Sequence, residues 1–218
     1  MRKNSVPTIL LLLFLLVGWP FLSYVLMRES RVELDSPLTD PALQLYLPTI
    51  VIELLIFLLI ILVLKRGGES LRNIGWGEFN GKNLLIGIGF VFFANAILLT
   101  LSLILGIKQP KEIEFLLPKT ATDRLFWVMM SLTAGVVEET GFRGYVLTKL
   151  NLFVKNWWIT AIISSFFFGV GHFYQGWGGS VLTGAYGLLF CGLFIWRKSL
   201  APCILAHFLQ DASAIFLA

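Results

Sequence analysis

Apolar residues run almost unbroken along this chain, in stretches long enough to cross a bilayer, and the polar residues gather between them. Runs of about 20 apolar residues predict membrane-spanning helices, and here they fall at about residues 6–27, 43–64 and 83–107. A fourth predicted helix, about 122–150, is apolar at first and amphipathic beyond Arg143. A fifth, about 157–174, opens with the tryptophan pair Trp157-Trp158, of a kind found at membrane interfaces. A sixth follows the Gly-rich connection 175–179 and ends near Trp196; a seventh covers about 200–217. Polar segments at about 28–40, 65–82 and 108–123 read as loops. Within the last of them, Pro110 and Pro118 bracket a stretch, 112–117, that is too short to span and is interfacial or re-entrant. The expected fold is therefore all-α: a polytopic membrane helical bundle of about seven transmembrane helices. It forms one domain over 1–218, with N-terminal spans over 1–107 and the motif-bearing helices over 122–217.

Composition supports this reading. Charged residues make up 14% of the 218-residue chain, against about 25% in soluble domains, and the mean hydropathy is +0.82. The net charge of +4 fits cytoplasmic loops of a membrane protein and not a nucleic-acid surface. The first apolar run lacks the short core and small-residue cleavage site of a signal peptide, so it reads as an uncleaved span. With seven spans, one side of the membrane carries roughly ten Lys and Arg against roughly six opposite, which predicts a multi-pass cell-membrane protein with a cytoplasmic N-terminus. The two cysteines, Cys191 and Cys203, lie in apolar stretches and read as packing residues. Ser180/Gly184 and Gly187/Cys191 have the small-x-x-x-small spacing of close helix packing.

The informative residues are the polar ones inside the apolar runs, because charge at bilayer depth is tolerated only when paired or used. Gly135-Val136-Val137-Glu138-Glu139-Thr140-Gly141-Phe142-Arg143 places two acids and a guanidinium in one helix. Glu139 and Arg143 are four apart with the acid first, which suits an ion pair. Glu138 points about 100° away and is left to act as a general base, or else to hydrogen-bond within a structural network. Glu53 stands alone in the second span and reads first as a protonated acid bonding a neighbouring helix; Asn95 in the third reads as interhelical polar glue. Both histidines of the chain also lie in predicted helices. Phe168 precedes His172 by four residues, and Asp211 follows His207 by four.

Glu138-Glu139-x-x-x-Arg143, then Phe168-x-x-x-His172, then His207-x-x-x-Asp211, on successive helices, resembles the CPBP family of CAAX proteases and bacteriocin-processing proteins, also called Abi proteins. The resemblance covers roughly residues 134–211 and implies an intramembrane endopeptidase. By it, Glu138 activates a water that His172 helps to bind, and His207 stabilises the oxyanion with Asp211 beside it. Glu139 and Arg143 fix the helix, and Phe168 packs the wall. Many similar proteins have Asn at the last position. An aspartate there only accepts hydrogen bonds, so Asp211 is expected to hold a ring N–H of His207 and leave the other nitrogen to the substrate. The implied partners are the bilayer and a peptide or protein substrate in or at it: lipidated, leader or bacteriocin-related peptides, in processing or self-immunity.

The cofactor stays open. Glu138, His172 and His207 make a two-His, one-Glu set that zinc accepts with a place for water; a metal-free glutamate mechanism uses the same residues, and the cation of Arg143 favours it. Two other functions stay in view, an ion- or proton-coupled transporter lined by the same polar groups and a non-enzymatic scaffold. One geometric demand is explicit. At 1.5 Å per residue, Glu138 and His207 lie about 12 to 14 Å from the inner face and His172 nearer to about 22 Å. Convergence then requires the fifth helix to start later, tilt, or bend at Gly169 and Gly171.

Overall fold

The computed structural model describes residues 6–32, 40–77, 79–107 and 117–216. Within them the chain is predominantly helical, and no strand occurs among the described residues. Each predicted apolar run corresponds to one continuous helix: α1 (residues 6–32), α2 (Ala42–Arg66), α3 (Gly81–Leu105), α4 (residues 121–154), α5 (Trp157–Gly171), α6 (Gly176–Arg197) and α7 (Ala201–Ala212).

Local chemistry sets the ends. Thr120 caps α4 by accepting from the Asp123 amide at 3.1 Å, while the Asp123 carboxylate accepts from the Thr120 amide at 2.9 Å. This reciprocal box satisfies two otherwise orphaned N–H groups. Asn156 caps α5 in the same way, accepting from the amides of Trp158 and Ile159. Lys155, in the left-handed conformation, makes the sharp break between α4 and α5.

Three boundaries differ from the sequence reading. Residues 28–32, assigned to a loop, extend α1, because Arg28-Glu29-Ser30-Arg31 contains no breaker. The connection 175–179 is in fact mostly the first turn of α6, where Gly179 packs against Gln175 and Gly178 against Ile107. The fourth helix reaches Val154 and is not uniform. It runs as α-helix over Ala121–Glu138, widens into a π-helical segment over Glu139–Val146, and returns to α-helix over Leu147–Val154. The proposed interfacial stretch 112–117 lies, except for Leu117, outside the described residues.

The count of seven spans also needs qualification. Among the described residues, four helical stretches are long and apolar enough to cross a membrane: Val6–Val25, Ala42–Arg66, Gly81–Leu105 and Phe173–Arg197. Helices α5 and α7 are apolar but shorter, with 15 and 12 residues, and α4 carries the charged motif. The short and polar helices are the ones that bear the sequence motifs.

Packing brings these helices together at glycine contacts. A Cβ on Gly135 would stand 3.1 Å from the carbonyl oxygen of Ile204 and the amide of Phe208, so α4 and α7 touch backbone to backbone. A Cβ on Gly169 would stand 2.7 Å from the Ser180 carbonyl oxygen, and the Ser180 hydroxyl donates to the Gly169 carbonyl at 2.6 Å. That contact draws α5 onto α6, as small-residue spacing does between membrane helices. Asn95 of α3 donates to Gln210 of α7 at 2.7 Å, the interhelical bond expected of it. Cys191 and Cys203 are free and buried in the α6–α7 core with Phe190 and Leu193. The outward faces carry Leu85, Phe92, Leu103 and Ile104.

Candidate active site

The π-helical segment of α4 is wholly buried from Glu139 to Val146. Insertions of this kind widen the turn and occur often at functional sites. Here the segment starts on the residue after Glu138, so the two adjacent acids enter different environments.

Glu139 is completely buried, and its Oε1 meets Arg143 Nη1 at 3.0 Å. The same oxygen accepts from His207 Nδ1 at 2.7 Å. Arg143, 1% exposed, is held between two aromatic rings, with Cζ 4.2 Å from the Phe168 centroid and 5.2 Å from that of Phe190. A desolvated guanidinium facing aromatic rings gains cation–π attraction in place of lost hydration. The chain Arg143–Glu139–His207 thus neutralises one glutamate and fixes an imidazole.

Glu138 faces the other way. Its Oε2 is buried, and no protein donor among the described residues hydrogen-bonds to it; His207 Nε2 lies 3.8 Å away. That same nitrogen is 3.3 Å from Asp211 Oδ2. The expected division of labour at His207 is therefore modified. Glu139, and not Asp211, takes the ring nitrogen that orients the imidazole, and Asp211 shares the nitrogen that faces the site.

His172 ends α5. Its Nδ1 lies 2.8 Å from the Phe168 carbonyl oxygen, and its ring packs on Phe168 with centroids 4.6 Å apart. Phe168 also packs edge-on against His207 at 6.5 Å. A cavity of about 640 Å³ is lined by Glu138, His172, His207, Asp211 and Phe168 together. The depth conflict is resolved without a late start, since α5 begins at Trp157 and stays helical through Gly171.

Two cavity residues were discounted or missed. Glu53 of α2, 5% exposed, accepts from Thr133 of α4 at 2.5 Å, as the interhelical reading expected, but it also lines the cavity. An acid in an apolar span was the available signal. Tyr186 of α6 lines the cavity too, and nothing in the local sequence marks it. Trp127 of α4 donates to the Asp211 carbonyl at 2.9 Å and ties the end of α7 to α4.

The bonds of His207 Nδ1 to Glu139 and of His172 Nδ1 to a backbone carbonyl leave each Nε2 as the nitrogen a metal would take, the usual orientation of a metal-ligating imidazole. Among the described residues no three His, Cys, Asp or Glu side chains are grouped to hold a metal ion.

Residues 120–213 match the family model described as type II CAAX prenyl endopeptidase Rce1-like. The C-terminal part of the chain is thus similar to this CAAX-protease family. The Rce1-like segment opens on the Thr120 cap of α4 and closes just past α7, so it contains Glu138, Glu139, Arg143, Phe168, His172, His207 and Asp211. Glu53 and the α1–α2 side of the cavity lie outside it. No curated protein and no solved structure matches the chain.

Proposed function

We propose that the chain is an intramembrane endopeptidase in which Glu138 activates the attacking water. The observation that carries this reading is the contrast between adjacent acids: each has a buried Oε2 without a hydrogen-bond partner, but Glu139 is tied through Oε1 to Arg143 and His207 away from the cavity, while Glu138 stands at the wall of the 640 Å³ cavity. A carboxylate so placed takes the proton of a water as its oxygen attacks the peptide carbonyl carbon. The resulting oxyanion is met by Nε2–H of His207 in its doubly protonated form, with Nδ1–H donating to Glu139. Collapse of the tetrahedral intermediate breaks the C–N bond, and Glu138 returns the proton to the leaving amine. His172, which lines the same cavity, assists in binding the water. Every step uses groups of the chain itself.

The family description supports a substrate at the membrane whose C-terminal end carries a lipid; leader and bacteriocin-related peptides are other candidates of the same chemistry. The helices and basic loops support a multi-pass protein with its N-terminus in the cytoplasm. The transporter and scaffold readings draw no support from the family match.

The test is cleavage of a prenylated C-terminal peptide by purified protein in nanodiscs, with wild type, Glu138→Gln and His172→Ala compared with and without a chelator. Cleavage by wild type that both substitutions abolish and chelation leaves untouched is expected. Loss on chelation with rescue by zinc would replace the glutamate mechanism with a metal one. Equal traces from all three proteins would remove the peptidase reading.

A further inference from the structure

Tyr186 stands on α6 one turn before Phe190, and the two rings pack with centroids 4.5 Å apart. Phe190 in turn lies against the His207 ring at 5.9 Å, so the tyrosine stands one ring removed from His207. Its side chain is 8% exposed and lines the cavity. The hydroxyl is buried and has no hydrogen-bond partner among the described residues. Asp211, Glu139 and Arg143 are within its electrostatic reach.

An unpaired buried hydroxyl is unfavourable, and a phenylalanine at this position would fill the same space without it. The hydroxyl therefore suits a partner that arrives in the cavity. The oxyanion of peptide hydrolysis is such a partner, and the groups already assigned leave a place beside it. Glu138 is the base, Glu139 is neutralised, and Asp211, as a carboxylate, accepts and does not donate. His207 offers one N–H, whereas oxyanion sites commonly use more than one donor. A phenol is a neutral donor that adds no charge to a dry site.

We propose that the Tyr186 hydroxyl is a catalytic donor that hydrogen-bonds the scissile carbonyl oxygen as it becomes negative, alongside His207. The inference rests on the peptidase reading above. The phenol keeps its proton throughout, so no bond to it is made or broken.

The experiment compares wild type with Tyr186→Phe in nanodiscs, reading kcat and KM on the prenylated peptide and the affinity for a peptidyl phosphonate, whose tetrahedral anion imitates the intermediate. Thermal unfolding of both proteins controls for packing, and removal of one oxygen leaves the ring in place. A fall in kcat on the order of 10²-fold, with KM unchanged and phosphonate binding weakened by a similar factor, is expected. Unaltered kcat would overturn the assignment. So would a rise in KM alone, or a fall in kcat with phosphonate affinity intact, since either places the hydroxyl away from the oxyanion. Failure of wild type to cleave any peptide is a different result and removes the peptidase reading itself, and the donor role with it.

Discussion

Helix α4 carries two buried charge clusters, and they differ in what surrounds them. Toward the C-terminal end, Lys149 is 2% exposed and paired with Glu69, with the Tyr145 ring 5.8 Å from the ammonium. The void beside this pair is about 10 Å³, room for about one water. Around Glu138 the charges border a cavity of about 640 Å³. The Lys149–Glu69 pair closes on itself and locks the loop after α2 onto α4. At the other cluster Glu139 closes with Arg143 and His207, and the neighbouring carboxylate of Glu138 faces the cavity. Buried charge alone does not separate structure from chemistry; an unpartnered atom next to space does.

Substitutions should separate the two clusters in a definite order. The largest effect is on catalysis: Glu138→Gln should lower kcat by about 10²–10⁴-fold with little change in unfolding, measured by single-turnover cleavage and thermal melts. Arg143→Gln should damage both properties. It leaves Glu139 uncompensated, at about 3–5 kcal/mol for a broken buried pair, and frees His207 from its anchor. Unfolding in mixed detergent together with cleavage per folded molecule would show a variant that is less stable and also inactive. Lys149→Met should lose stability on the same scale while the folded fraction retains its kcat; a proportionate loss of kcat would mean that the two clusters are one network. The Lys149→Met/Glu69→Gln cycle should show a coupling of about 1–3 kcal/mol and no effect on cleavage. Smallest is Trp127→Phe, which removes the bond to the Asp211 carbonyl and should cost about 1 kcal/mol in the same unfolding assay.

Much of this was readable in the chain. Apolar runs located α1 to α7, though not the short 3₁₀ turn Leu71–Ile74, and the i,i+4 spacing of Glu139 and Arg143 anticipated their pair, because helix geometry is local. Of the motif residues, Glu138, Phe168, His172, His207 and Asp211 share the cavity. What the sequence did not reveal depends on contacts between helices. The second partner of Glu139 is His207, 68 positions away, and no spacing rule reaches that far. Glu53 read as an isolated acid because its neighbours come from other helices. The π-helical turn went unseen, since Glu139-Thr140-Gly141-Phe142 is as compatible with an ordinary helix. Upright helices of equal depth were the assumption that set His172 apart from Glu138.

The brevity of α5 bears on the lipid around it. Its 15 residues rise about 22 Å, against a hydrocarbon layer of about 30 Å. Where such a helix crosses the bilayer, local thinning is one response to the mismatch, and it would draw headgroups and water toward the level of His172. Hydrolysis within a membrane needs such a supply of water, and lipids of shorter acyl chain should ease this mismatch and longer ones strain it.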